Sequence, residues 1–221
     1  MKKQVLSLAF ACLALGGIAQ NVVKNGTFDT PLNEEINKTV PASADWFVLE
    51  KANGGTVITA ATDDDAHGNV VQIENTNNNS WYKAYLGQRL EGLEKAVYTV
   101  SFEAKAVSGD AEVRFFICDA KSNKVFIMRE KFDLNNEATK KQSAAAYSRK
   151  LKGSKWNKVT ANFDFSRVVD AFASAQGVEA KGGKITESAA TEDTYKNLIL
   201  VIQLQNKDSK ALIDNVSVVK K

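Results

Sequence analysis

The sequence predicts an all-β protein, an antiparallel sandwich of two sheets in the jelly-roll arrangement, with short helical insertions. Segments rich in Val, Ile, Phe and Tyr recur along the chain, and apolar and polar residues alternate in them with a period of two. Turns that contain Gly, Asn or Asp separate these segments, for example at residues 53–55 and 108–110. Ten such segments fit two sheets that each turn one face to a common core and the other to water.

The predicted strands follow one another along the chain. The alternation is clearest in the fifth and sixth strands. In the fifth, Val100 and Phe102 share one face, and in the sixth Val113, Phe115 and Ile117 do. These apolar rows are expected to face the core. The predicted strands span residues 46–50, 56–60, 69–74, 81–90, 96–105, 111–119, 124–131, 156–165, 197–205 and 211–219.

Two segments break the pattern and are predicted to be insertions between strands. Residues 134–154 are polar and rich in Ala and Lys. Residues 166–197 begin with Val168, Val169 and Phe172 at helical spacing and continue through two glycines into a polar stretch. The insertions either shape a binding rim or an oligomer contact, or they are solvated loops. No second domain boundary is visible, so residues 20–221 are expected to form one domain.

The first nineteen residues have the pattern of a signal peptide. Lys2 and Lys3 precede an apolar run at residues 5–15, and Gly17 and Ala19 place small residues at the −3 and −1 positions of a cleavage site. The run is too short for a transmembrane helix. We therefore expect cleavage after Ala19 and export to the periplasm, the cell surface or the medium. Lipoprotein processing at Cys12 is disfavoured, because the residues before it match a lipobox poorly.

Composition excludes several classes of protein. The 221 residues carry 29 Lys and Arg, 26 Asp and Glu, one His and two Cys. Removal of the signal peptide, with its two lysines and one cysteine, leaves 202 residues with a net charge of +1 and Cys118 alone. Such a chain cannot build a zinc cluster of His and Cys, an iron–sulfur site or a disulfide framework. The near balance of charge argues against a nucleic-acid partner.

Segments at both ends of the chain and between them carry a family resemblance. The chain opens with Asn25-Gly26-Thr27-Phe28-Asp29 and closes with Ile213-Asp214-Asn215-Val216. Between them lie, in order, the segments 46–49, 68–73, 90–105 and 156–163. This order resembles the carbohydrate-binding modules of the CBM4/9 type, which belong to the galactose-binding-like jelly rolls. The resemblance spans nearly all of residues 20–221 and implies a sugar-binding module. The two insertions depart from the family pattern and bear on the binding face more than on the fold.

The paired ends suggest a metal site. The first and last strands of a jelly roll lie close together, so Asp29 and Asp214 are expected to approach each other. Two close carboxylates need a compensating cation, and hard oxygen ligands suit Ca²⁺. The resemblance also implies a structural calcium at this position. Alternatively, each Asp caps its own turn. The acidic run 63–65 beside His67 is a weaker candidate and reads better as a solvated loop.

Other residues have the chemistry of a sugar site. A sugar ring offers an apolar C–H face to an aromatic ring and a rim of hydroxyls to amide and guanidinium groups. The alternative is that the aromatic rings cap the core edge and the polar groups are solvated. The predicted carbohydrate-binding residues, expected on one open groove, are Trp81, Tyr85, Gln88, Arg114, Gln203 and Gln205.

Catalytic patterns are weak in this sequence. His67 is the only His, no Gly-x-Ser-x-Gly segment accompanies it, and no glycine-rich phosphate loop is present. We therefore expect no enzyme activity and a polysaccharide or oligosaccharide as the partner. The alternative is an extracellular or envelope domain of the same fold that binds a partner protein or mediates adhesion. A small glycan hydrolase or lyase, acting through a pair of carboxylates, is a third possibility.

Overall fold

The computed structural model describes residues 20–50, 55–62, 66–76, 84–121, 124–128, 146–170, 187–206 and 208–221. Strands dominate these ranges. They are β1 (Ile36–Asn37), β2 (Trp46–Glu50), β3 (Gly55–Ala61), β4 (Asn69–Asn75), β5 (Ala84–Arg89), β6 (Val97–Ser108), β7 (Glu112–Asp119), β8 (Lys124–Met128), β9 (Ala146–Lys150), β10 (Trp156–Asp170), β11 (Glu187–Ala189), β12 (Leu198–Leu204) and β13 (Ser209–Lys220). The helix described is α1 (Glu192–Tyr195).

The strands form two largely antiparallel sheets, which confirms the predicted sandwich. The front sheet has the order β1-β2-β5-β12-β7, with β9 also paired to β7. The back sheet has the order β10-β6-β13-β4-β3, with β11 also paired to β10. Strand β8 pairs with both β7 and β10, so it joins the two sheets along one side. The β1–β2 pair is parallel, and the other pairs are antiparallel.

The core lies between the sheets and is built on aromatic rings. Phe102 of the back sheet meets Phe115 of the front sheet edge to face, with ring centroids 5.0 Å apart. Phe163 of β10 approaches Phe115 at 6.0 Å. All three are fully buried, and each contributes about 1.5–3 kcal/mol of transfer free energy. Phe102 and Phe115 belong to the two apolar rows that the sequence predicts to face the core. Their contact confirms that prediction.

The N-terminal segment is paired with the last strand. Val22 N donates to Val218 O at 3.0 Å, and Val216 N donates to Gly26 O at 2.8 Å. Gly26 has a steric reason to be glycine, because a Cβ there would lie 2.1 Å from Val216 O. The prediction that the two ends of the chain meet is therefore confirmed.

Two predicted boundaries are wrong. Strand β10 continues to Asp170, and its Val168 and Val169 pair with Ser188 and Glu187 of β11. The apparent helical spacing there belongs to a strand, because β-branched residues fit a pleated ladder better than a helix. Residues 146–150, predicted to be part of an insertion, form β9 at the edge of the front sheet. Phe172 and residues 129–145 and 171–186 lie outside the described residues.

Within the described residues, no helix has the length and hydropathy needed to cross a membrane.

Candidate functional site

The outer face of the front sheet carries a row of polar side chains, which we call the polar row. Tyr85 of β5 lies opposite Gln203 of β12, Gln203 lies opposite Arg114 of β7, and Arg114 lies opposite Ser148 of β9. Directly opposed residues in a sheet share a face, so these four side chains leave the same side of the sheet. With strands about 4.8 Å apart, the polar row is about 14 Å long.

An apolar row, made of Phe47, Gly87, Val201 and Phe116, runs beside the polar row. Their register again places them opposite one another across β2, β5, β12 and β7. A Cβ on Gly87 would lie 2.4 Å from ring carbon Cε2 of Phe47, so only glycine lets this ring lie across β5. Sequence reasoning missed Phe47 as part of this face. The available signal was a glycine inside a strand, which often marks a close approach.

The centre of the polar row is buried although it lies on the outer face. Gln203 is 2% exposed and Arg114 is 6% exposed. Gln203 Oε1 has no hydrogen-bond partner among the described residues. A buried carbonyl without a donor costs about 1–3 kcal/mol, so the fold holds this acceptor at a cost in stability. A ligand that brings its own donor would satisfy this acceptor once the side chains that cover it move aside.

Gln205 extends the polar row beyond the end of β12. Its Oε1 accepts a hydrogen bond from Ser148 Oγ at 2.8 Å, and its backbone N donates to Glu112 O at 2.8 Å. Tyr85 and Gln205 are both half-buried. The structure therefore brings Tyr85, Arg114, Gln203 and Gln205 together on one face.

Gln88 does not join this face. It lies opposite Trp46 and Leu200, in a row that faces the core. Its buried amide ties the N-terminal segment to β5, since Oε1 accepts from Lys24 N at 3.0 Å and Nε2 donates to Lys24 O at 2.7 Å. Trp46 has a similar structural role, because its Nε1 donates to Asn25 O at 2.9 Å. The predicted binding residue Trp81 lies outside the described residues.

The two predicted metal residues both lie in the segments through which the chain ends pair. Asp214 is 2% exposed, and its Oδ1 accepts from Asn215 N at 2.7 Å. Burial is the main cause that raises the pKa of Asp214 to about 6; the bond from Asn215 and the charge of His67 oppose the rise, while Glu103 and Asp29 add to it. Asp29 is exposed and accepts from Thr27 Oγ1 at 2.7 Å.

A second carboxylate, that of Glu103, lies close enough to raise the pKa of Asp214. Glu103 Oε2 accepts from Asn215 Nδ2 at 2.7 Å and lies 3.1 Å from His67 Nε2. His67 in turn stacks on Trp156 with ring centroids 3.8 Å apart. In the described ranges no three side chains of His, Cys, Asp or Glu form a ready-made metal-ligand set. A cation at Asp214 would therefore also need backbone or water oxygens.

The fold and its outer face define a jelly-roll β-sandwich module with one polar and aromatic sheet face. Residues 21–207 match the family described as "Domain of unknown function (DUF4627)", and the chain belongs to that family. A search of curated proteins finds no match.

Two solved structures resemble the chain over most of its length. One is a protein of Bacteroides thetaiotaomicron that is provisionally described as sugar binding. It is 28% identical, with a TM-score of 0.80 over 91% of this chain and 100% of that one. The other, from work on the structure and function of CBM4, is 16% identical, with a TM-score of 0.51 over 90% of this chain and 99% of that one. The second likeness concerns the fold alone.

Proposed function

We propose that this protein is a non-catalytic carbohydrate-binding module that holds a polysaccharide or oligosaccharide on the outer face of the front sheet. The observation that carries the proposal is the buried Gln203 Oε1, which has no partner among the described residues and lies between Tyr85 and Arg114. A sugar hydroxyl is a donor of suitable size and strength for this acceptor. Binding would then recover the hydrogen bond that the free protein lacks.

The neighbouring residues suit the rest of a sugar ring. The guanidinium of Arg114 offers donors to ring and hydroxyl oxygens. The half-buried rings of Tyr85 and Phe116 offer flat surfaces to the C–H face. The polar row and the apolar row are adjacent, which is the arrangement that an amphipathic sugar needs.

Two further observations support the proposal. The similar protein of B. thetaiotaomicron, at 28% identity, is provisionally described as sugar binding. At the strand-paired positions of β2, β5, β7, β9 and β12, the outer face carries one acidic side chain, that of Glu112. Glycoside hydrolysis requires two carboxylates that flank the bond. We therefore propose binding without cleavage.

We also propose that the protein is exported and that it holds a structural calcium ion. The signal-peptide pattern of residues 1–19 supports function outside the cytoplasm. Asp214 and Asp29 would hold Ca²⁺ where the two chain ends meet. The buried, charge-crowded carboxyl of Asp214 supports this, because a cation would relieve the cost of ionising it.

A glycan array tests the function. The protein comprising residues 20–221 should be retained by at least one glycan, and Gln203→Ala and Phe116→Ala should each weaken that binding about tenfold or more. Gln72→Ala is a matched control, because this half-buried Gln lies in the back sheet. An absence of retention on every plant, host and microbial glycan, or full retention by Gln203→Ala, would refute the proposal. Capture of a protein partner instead would favour the adhesion alternative.

A further inference from the structure

A cavity opens where the front sheet meets the segment after β1. Its volume is about 390 Å³, and its lining includes Lys38, Leu49, Arg89, Lys121 and Asn197. These residues come from five separate parts of the chain, so only the fold brings them together. Three positively charged side chains line this cavity, whereas the polar row carries one, that of Arg114.

The cavity is continuous with the proposed sugar site. Leu49, one of its lining residues, lies opposite Tyr85 of the polar row. Arg89 lies four residues further along β5, opposite Ile199, on the same face as Tyr85. Four residues of a strand span about 13 Å, so Arg89 lies about that far from Tyr85, while Leu49 brings the cavity next to the polar row.

Three cations line this cavity, and among the described residues no acidic side chain does. Arg89 Nε donates to Pro41 O, which fixes the base of its guanidinium. Lys38 and Lys121 are exposed, and neither forms an ion pair with a described residue. Asp193, whose pKa is lowered mainly by its hydrogen bond to Lys196, feels the charge of Lys121 only weakly. As far as the described residues go, the charges of Lys38 and Lys121 are therefore available to an anionic ligand.

We propose that the glycan bound by this face is acidic, and that a carboxylate or sulfate group on it lies in the cavity between Lys38, Arg89 and Lys121. This inference rests on the proposed function and adds the substrate class. A planar guanidinium pairs well with carboxylate and sulfate oxygens, and the two lysines add charge without fixed geometry. Neutral sugar units of the same glycan would occupy the polar row, where Tyr85 lies about 13 Å from Arg89.

The experiment compares acidic glycans with their matched neutral forms. Polygalacturonate is tested beside its carboxyl-reduced form, and chondroitin sulfate beside its desulfated form, by affinity gel and calorimetry at two ionic strengths. The wild-type protein should bind an acidic member at least tenfold more tightly than its neutral counterpart, and added salt should weaken this binding. The pair that shows the difference identifies carboxylate or sulfate as the group recognised.

Charge-removing variants locate the effect. Lys38→Met together with Lys121→Met should weaken binding of the acidic glycan about tenfold, at the upper end of what two exposed ion pairs contribute. Lys152→Met is the matched control, because Lys152 is exposed on the turn before β10 and should change nothing. The variants keep the aliphatic stems, and melting temperatures verify that they fold.

The possible failures are distinguishable. If wild-type protein binds acidic and neutral forms equally, or if the double variant binds as wild type does, the acidic-glycan inference is refuted. The proposed function would still stand in that case if Gln203→Ala abolished binding of the neutral form. If no glycan of any kind is retained, both proposals are refuted.

Discussion

The carboxyl of Asp214 gives the sharpest test of how the chain ends are held together. Asp214 is 2% exposed and its pKa is raised to about 6 from an ordinary value of 3.8. A difference of this size corresponds to about 3 kcal/mol, which solvent screening near the site reduces to about 2 kcal/mol. The folded protein binds the proton more tightly than the unfolded chain does. Without a bound cation, this group therefore lowers the stability as the pH rises from about 4 to about 6.

The perturbation is Asp214→Asn, which removes the charge and keeps an oxygen for the bond from Asn215 N. Urea unfolding in a metal chelator should show no difference between variant and wild type at pH 4. At pH 7.5 the variant should be more stable by about 2 kcal/mol. The difference between the two proteins is the measured quantity, because other titrating groups cancel in it.

Added calcium should reverse the order at pH 7.5, since the cation would stabilise the ionised wild-type carboxyl and gain little from the amide. Asp29→Asn is the control. Its exposed carboxyl should matter little in chelator and should reduce the calcium effect. A difference between Asp214→Asn and wild type that does not change with pH would refute the electrostatic reasoning. An equal response of all three proteins to calcium would refute the metal site.

Three further predictions concern stability. Gln203→Met should leave the protein as stable as wild type or about 1 kcal/mol more stable, because it removes a buried acceptor without a described partner, while glycan retention is lost. Gly87→Ala should lower the free energy of unfolding by about 1–3 kcal/mol and weaken glycan binding, because the new Cβ would overlap the ring of Phe47. Urea titration measures the lost stability. A free energy of unfolding equal to that of wild type would contradict the packing described. Gly26→Ala should lower the melting temperature by more than Gly87→Ala does, because the new Cβ would meet the backbone oxygen of Val216, which cannot rotate away as a side chain can. A melting temperature equal to that of wild type would contradict this close approach.

The front-sheet face could be predicted in part because strand parity is a local property. Gln203 and Arg114 each lie one residue away from apolar neighbours that face the core, and that alternation is visible in the sequence. The same rule argues against Gln88, because residues 85 and 88 of a regular strand point to opposite faces. The amide of Gln88 could bond a sugar, but its position on the core face lets it bond the backbone of Lys24, which is 64 residues away in the sequence.

Other features could not be predicted because they depend on pairing between distant segments. Strand β9 lies in a polar stretch and is a strand because its residues pair with the edge of β7. Phe47 lies on the outer face beside the polar row only because β2 lies beside β5 in the sheet order. The cationic cavity likewise depends on the register that brings Lys38, Arg89 and Lys121 together, which no single segment contains.

The pairing of the two chain ends also decides how the module would respond to force. Asn21 bridges to Val219 in antiparallel fashion, so the first and last residues of the pair lie at the same end of the sandwich. A pull applied to both ends would load the hydrogen bonds between these two segments one after another, beginning with those at the Asn21–Val219 bridge. Attachment through one end alone would not pull these two segments apart, so the pairing of the last strand would not be loaded in that way.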